Sequence, residues 1–310
     1  MEQPFQCILE RARELGFIAA GFTRPGRPLF FKEFKAWLRA GMQGGMSWLE
    51  NRLYLREDPS RLLEGCRTII CLAFPYPSKA PSTPEGYTVS RYAQPFEEDY
   101  HRRLRRKGRE LVLFLETIFE GSRSRICVDS APLMERSFAY SAGLGFIGKN
   151  NALIVPGHGS WVYLAEILTT ADIAFPAVDP LKPRCGTCSR CIEACPTGAL
   201  EAPNRINASR CLSYLSIEYK GEIPPEYGEK MGRCFFGCDR CQEVCPFNEG
   251  GVSGIPSLPP IREWLEMTEK AFQARFGPSA LSRVSLSKLK RNIQVLTRRK
   301  NLGHNNGDGL

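Results

Sequence analysis

Nine of the thirteen cysteines lie between Cys185 and Cys245, in two runs with one outlier. The first run, CGTCSRCIEACP from Cys185 to Pro196, has the C-x2-C-x2-C-x3-C-P spacing by which bacterial ferredoxins hold a cubane iron–sulfur cluster. Three thiolates at two-residue gaps wrap one face of a cluster, the fourth cysteine crosses to a neighbouring cluster, and the proline turns the chain away. The second run, CFFGCDRCQEVCP from Cys234 to Pro246, supplies C-x2-C-x3-C-P through Cys238, Cys241 and Cys245 and is one ligand short. Cys211, between the runs, is the natural replacement. The spacing assigns one [4Fe–4S] cluster to Cys185, Cys188, Cys191 and Cys245, and the other to Cys195, Cys211, Cys238 and Cys241. Structural zinc is the ordinary reading of clustered C-x2-C pairs, but zinc sites bring two separated pairs rather than triplets ending in C-P. Cys234 is left over. It is either a buried thiol packing as a small hydrophobe or a substitute ligand through its C-x3-C spacing to Cys238. Two one-electron carriers side by side mean that electrons travel through this chain to an acceptor held elsewhere in it.

The elements that could hold that acceptor come first in the chain. Apolar residues at helical spacing run from Gln6 to Gly16, a short strand follows over Phe17 to Phe22, and a second helix covers Phe30 to Ala40. Cys66 to Phe74 is an unbroken apolar, β-branched run and reads as a buried central strand. Tyr87 to Ala93 reads as a strand, Glu97 to Glu120 as a long basic amphipathic helix, and Ser124 to Pro132 as a strand ending in an acid. Leu133 to Gly143 is helical, and Ala152 to Thr170 reads as a β-hairpin around Pro156 to Gly159. The expected organisation is an α/β unit over 1–175, a ferredoxin-like two-cluster unit over 176–250, a helical tail over 251–300, and a disordered polar end over 301–310.

Composition narrows the class. The chain has 310 residues, 43% of them hydrophobic, enough for about two domains with full cores. The first thirty residues show no export signal, and no apolar stretch approaches a membrane span, so no membrane partner is expected. Thiolate clusters beside Cys7, Cys66, Cys71 and Cys127 fit a reducing cytoplasm, with those four as inert core thiols. The net charge of +9 concentrates in His101 to Arg109, Ser122 to Arg125, and Arg283 to Lys300. Such runs attract polyanions, or they are solvated helix faces; two of them lean toward a nucleic acid or a phosphate-rich cofactor.

Two motifs fail on context. GLGFIG (Gly143 to Gly148) with Lys149 and Asn150 resembles a phosphate-binding loop, but a helix precedes it and a strand-like run follows, the reverse of what phosphate binding needs. Its glycines instead suggest close approach to something flat, with Lys149 as a fixed charge beside it. Asp99-Tyr100-His101 begins the D-x-H-x-x-G pattern that ligates cobalt through histidine, but Leu104 replaces the glycine, so His101 reads as a surface histidine. Asp129, ahead of Ala131-Pro132, reads from its neighbours as a helix cap.

The stretch VDSAPLMERSFAYSAGLGFIGKNNALIVPGHGSWVYLAEILTT, the eight cysteines and CLSYLSIE after Cys211 together resemble the epoxyqueuosine reductase family, over most of the chain. The resemblance implies a cobalamin-dependent enzyme with two [4Fe–4S] clusters, related to reductive dehalogenases, that performs the last step of queuosine synthesis at the wobble position of tRNA. It implies base-off cobalamin without a histidine ligand, Asp129 as proton donor, and cobalamin contacts from Arg52, Tyr92, Asp129, Gly148, Lys149 and Ser213. Lys220 matches a family lysine near the tRNA. Longer relatives carry a C-terminal helical repeat region, so contacts made there are expected to be made otherwise here. An external electron donor and a monomeric state complete the expectation. A reductive dehalogenase-like enzyme acting on a small molecule, or a plain ferredoxin-type carrier, is the competing reading; the large α/β unit weighs against a carrier and the basic runs against a small substrate.

Anaerobic reconstitution should load about eight irons per chain, and Cys211→Ser should lower that toward about four. A wild-type content near four would remove one of the two assigned sites.

Overall fold

The computed structural model describes residues 3–248 and 258–297. Helix α1 (Pro4–Glu14) leads into strand β1 (Ala19–Thr23), helix α2 (Phe31–Arg39) and the short helix α3 (Leu53–Glu57). Strand β2 (Thr68–Pro75) follows, and its apolar run faces two cores at once. Ile70 and Leu72 point to one, where Ile8 and Ala12 of α1 meet Leu104, Leu111 and Leu115 of helix α4 (Tyr100–Ile118). Ile69, Cys71 and Ala73 point to the other, packed on Phe138, Ala139 and Ala142 around helix α5 (Glu135–Ser141). Alternation of side chains across the pleat thus turns an unbroken hydrophobic sequence into a strand covered on both faces.

Between β2 and α5 lie the two-residue strand β3 (Thr88–Val89) and strand β4 (Ser124–Cys127); after α5 come β5 (Phe146–Ile147), β6 (Leu153–Ile154) and β7 (Val162–Thr169). The main sheet has the order β1-β2-β7-β4, and every neighbouring pair in it is antiparallel. Two expected strands behave differently. Residues 152–170 do not close into a hairpin: β6 pairs with β5, and β7 crosses to lie between β2 and β4, leaving a single bridge from Val155 to Gly159. Residues 87–93 form only β3 and a 3-10 turn, and β3 leaves the main sheet to pair in parallel with β10 (Cys234–Phe236).

The cysteine-rich part contains α6 (Arg190–Glu193), β8 (Leu200–Ala202), β9 (Arg205–Ile206), α7 (Leu212–Ile217), α8 (Pro225–Lys230), β10 and α9 (Arg240–Glu243). Its core is shared with the C-terminal helices α10 (Ile261–Glu266), α11 (Glu269–Phe276) and α12 (Leu286–Thr297): Phe235, Phe236, Trp264, Phe272, Phe276, Leu289 and Ile293 form one buried cluster with Val89. The expected helical tail is therefore the wall of the cluster-bearing part. Residues 298–310 lie outside the described residues. Among the described residues no helix is long and apolar enough to cross a membrane.

Many basic residues turn inward to backbone oxygens or nearby acids. Lys107 donates to Leu15 O at 2.7 Å, Arg123 to Glu64 O at 2.9 Å and Arg125 to Leu62 O at 2.8 Å. Arg291 donates to Tyr219 O, Gly221 O and Leu215 O. The basic runs are in large part structural ties.

Trp264 is fully buried against Phe235, Phe272 and Phe276. Trp264→Ala should cost about 3–5 kcal/mol and lower the thermal midpoint; an unchanged midpoint would mean that this core contributes little to stability.

Candidate functional site

The two cysteine runs fold alike. In the first, Ile192 and Glu193 donate backbone bonds to Ser189 O and Cys195 to Ile192 O; in the second, Gln242 and Glu243 donate to Asp239 O and Cys245 to Gln242 O. Helices α6 and α9, each ending just before the C-P step, pack on one another. Burial raises the thiols of Cys191, Cys211, Cys238, Cys241 and Cys245, Cys241 to about 12. Cys191 lies near Cys185, Cys245 and Cys188, Cys211 near Cys195, Cys238 near Cys234, Cys211 and Cys241, and Cys241 near Cys211, Cys191 and Cys195. Among the described residues no three ligands close on a point as they would around one ion; a cubane spreads its thiolates over a larger body. Cys234 donates to Phe236 O and Gly237 O, and burial pushes it to about 12, so it behaves as a protonated bystander.

The GKN segment joins these loops to the α/β part. Lys149 Nζ donates to Gly186 O at 2.7 Å and Cys188 O at 2.9 Å, in the first cysteine loop. Asn150 Nδ2 donates to Cys241 O at 3.1 Å, in the second. Lys149 is thus a brace between two parts of the chain rather than a free charge beside a flat ligand. The glycines also have protein neighbours: a Cβ on Gly145 would meet Ile154 O at 2.2 Å, one on Gly148 Ile154 Cδ1 at 2.7 Å, and one on Gly143 Val178 Cγ1 at 2.5 Å. Tight packing on β6 and on Val178 is enough to require glycine at these three positions.

Asp129 lies beyond the end of β4, with φ 54°. It caps no helix: α5 starts at Glu135, with Met134 before it. Its Oδ2 accepts from Tyr100 Oη at 3.0 Å and meets His101 Nε2 at 3.1 Å. His101 is therefore buried, not on the surface, at 1% exposure. Its Nδ1 is 2.8 Å from Asp99 Oδ1, and Asp99 Oδ2 accepts from Arg283 Nε at 2.8 Å. Asp99 also caps α4, accepting from His101 N. Burial alone would lower His101, but its bonds to Asp129 and Asp99 outweigh burial and raise it. Burial alone would raise Asp129, but the bond to His101, the imidazolium charge and the Tyr100 bond bring it below the usual range. A raised His101 beside a lowered Asp129 favours the proton on the imidazole. Asp129 presents 59% of its side chain to solvent while its carboxyl still carries a burial penalty.

The other expected cofactor contacts flank this line. Tyr92 packs edge-on against Tyr100 at 6.2 Å and tilted against Phe236 at 5.9 Å, between Asp129 and the second cysteine run. Ser213 offers its backbone N–H to the Cys211 sulfur. Arg52 stands before α3 with φ 58°, and Asn151, after the GKN segment, has φ 65°. Gln43 Oε1 and Asn151 Nδ2 are buried without partners, and the amide-bearing rim of a corrin could pair with both. Both His101 nitrogens are engaged, which fits a corrinoid held without that histidine. The residues present therefore fit base-off cobalamin. Lys220 is exposed beyond α7; Lys288 near it is lowered by burial first, then by Arg291, with Lys220 adding least. Sequence reasoning missed the Asp99–His101–Asp129 line, and with it Tyr100 and Arg283.

Two family models match: residues 184–248 match the 4Fe-4S double cluster binding domain, and residues 56–130 match a model described as Epoxyqueuosine reductase QueG, DUF1730. The epoxyqueuosine reductase of Gloeobacter violaceus is 38% identical over 306 residues, 93% of either chain. That of Cellulophaga algicola is 34% identical over 308 residues, 95% of this chain and 98% of the relative. A crystal structure of epoxyqueuosine reductase with an epoxyqueuosine-modified tRNA-Tyr stem loop superposes with a TM-score of 0.82 at 30% identity, over 94% of this chain and 80% of that one. The Bacillus subtilis enzyme, with its catalytic aspartate loop swung out of the active site, gives a TM-score of 0.82 at 29% identity, over 98% and 86%.

His101, held above its ordinary 6.5, adds stability that is complete below that pH and lost as pH rises through its folded value. Asp129, held below its ordinary 3.8, adds stability above that pH and loses it as pH falls through its folded value. His101→Gln should therefore flatten the decline of the thermal midpoint as pH rises above the ordinary histidine value. Equal slopes in the two proteins would show that the imidazole is not held charged.

Proposed function

The chain belongs to the epoxyqueuosine reductase family, and we propose that it reduces epoxyqueuosine to queuosine at the tRNA wobble position through the acid line at Asp129. The conversion removes the epoxide oxygen as water, leaves a cyclopentene, and consumes two electrons and two protons. The clusters carry electrons singly, and cobalamin, when bound, supplies reducing power at cobalt. Residues 1–175 would hold the corrinoid and the substrate base, and 176–250 the two clusters. The remaining helices buttress the acid line.

An alkoxide leaves poorly, so a proton must reach the departing oxygen. Asp129 delivers it from its exposed side and is resupplied at Oδ2 by His101 Nε2, with Tyr100 Oη keeping the carboxylate oriented. Asp99 holds the imidazole in the orientation that points Nε2 at Asp129. Lys149 and Asn150 tie the GKN segment to the two cysteine loops, which fixes their separation from the α/β part. Arg52, Tyr92, Gly148 and Ser213 are the proposed corrinoid contacts, and Lys220 a tRNA contact. An external one-electron donor would load the clusters, and the chain would act as a monomer in the cytoplasm, where reduced thiols persist.

The observation that carries this reading is an exposed carboxylate backed by a buried imidazole that holds the exchangeable proton. Protein loaded anaerobically with iron, sulfide and cobalamin, given a chemical reductant and an epoxyqueuosine-containing stem loop, should yield a wobble nucleoside lighter by one oxygen. Asp129→Asn should lower kcat by about 10²–10⁴-fold with both clusters intact. Wild-type turnover in that variant would end the acid assignment.

A further inference from the structure

Glu166 sits in the middle of β7, with Cys71 of β2 and Cys127 of β4 as its register partners on either side. It is fully buried, and neither carboxyl oxygen finds a donor. A bare carboxylate there would be very costly. A second carboxyl, Glu135 at the start of α5, lies close enough for its charge to raise Glu166. Burial raises both groups first; the Asp129 charge adds for Glu135 and the Glu135 charge for Glu166. The other groups around them are Arg136 on α5, Arg56 on α3, and the thiols of Cys71 and Cys127, which burial keeps protonated. The reaction as derived uses neither glutamate.

Glu135 has another partner. Its Oε1 accepts the backbone N–H of Asp129 at 2.5 Å. A non-glycine residue keeps a left-handed backbone where its surroundings hold it there. The nearby turn bonds, Ser130 N to Val128 O and Leu133 N to Ala131 O, leave the Asp129 N–H to Glu135.

We propose that Glu135 is a positioning residue: by accepting the Asp129 N–H it holds the turn after β4 in the left-handed conformation that aims the acid at His101, Tyr100 and the substrate. The catalytic half rests on Asp129 being the acid of the reaction proposed above; the structural half stands without it.

The test compares wild-type holoenzyme with Glu135→Gln, Glu135→Ala, Glu135→Leu and Glu166→Gln. Deuterium uptake is followed in the peptide spanning Asp129, together with kcat and KM on the stem loop. Glu135→Gln keeps the acceptor oxygen, and Glu166→Gln keeps the size while removing the ionisable group. Both should stay within about threefold of wild type in uptake and kcat. Glu135→Ala and Glu135→Leu lose the acceptor and should speed exchange at Asp129 by about tenfold or more, the size of one lost bond to a carboxylate. Their kcat should fall by a similar factor with KM unmoved, while β7 keeps its protection. Two side-chain sizes allow for one variant that does not fold. Unchanged exchange at Asp129 without the acceptor overturns the proposal, as does a Gln variant as impaired as the Ala variant. Failure of the wild-type chain to deoxygenate epoxyqueuosine would count against the proposed function alone, since the exchange contrast still decides the role of Glu135.

Discussion

A charged imidazole between two carboxylates ties together three distant stretches of this chain. His101 at the start of α4 meets Asp99 on one nitrogen and Asp129, beyond β4, on the other. Arg283, from the C-terminal helical part, completes the line from behind Asp99. A buried histidine is stable in its charged form only where acceptors surround it, and here each ring nitrogen has one. The left-handed turn at Asp129 and the Tyr100 hydroxyl on its carboxylate meet that requirement from the other side.

The cluster-bearing part is fastened to the sheet by polar bonds near its cysteine loops. Arg91 reaches Asp239 and Glu243 at 2.9 Å each, Ser160 bonds Gln242 and Asn248, and Lys149 and Asn150 each grip one loop. The parallel pairing of β3 with β10 adds a backbone seam. Electron transfer between carriers depends on fixed separation, and such ties prevent the two parts from drifting apart.

Much of this was legible in residue spacing, because cluster ligation is local: eight thiolates at short gaps announce their chemistry without knowledge of the fold. The two-sided burial of β2 was legible in its unbroken apolar run. Pairings across long sequence separations were not. Nothing in residues 152–170 says that β7 will pass between β2 and β4 rather than fold back on β6. His101 was misplaced on the surface although helical periodicity pointed inward: it lies on the same stripe as Leu104, Gly108, Leu111 and Leu115, all buried. Its polar character obscured that position, since a histidine on an apolar stripe makes sense only once Asp129 is seen beside it. Asp129 read as a cap because its partners lie about thirty residues upstream, beyond the reach of any local rule.

Asp99 is anchored by Pro278 O, which accepts its backbone N–H at 2.8 Å, as well as by Arg283. Ribosomes make proteins from the amino end, so the sheet, α4 and both cysteine runs emerge before these two anchors exist. A nascent chain halted anywhere ahead of residue 278 has an imidazole whose orienting partner is not yet tethered. The anchoring of the His101 orienter is therefore completed last, after both iron-binding loops have been made.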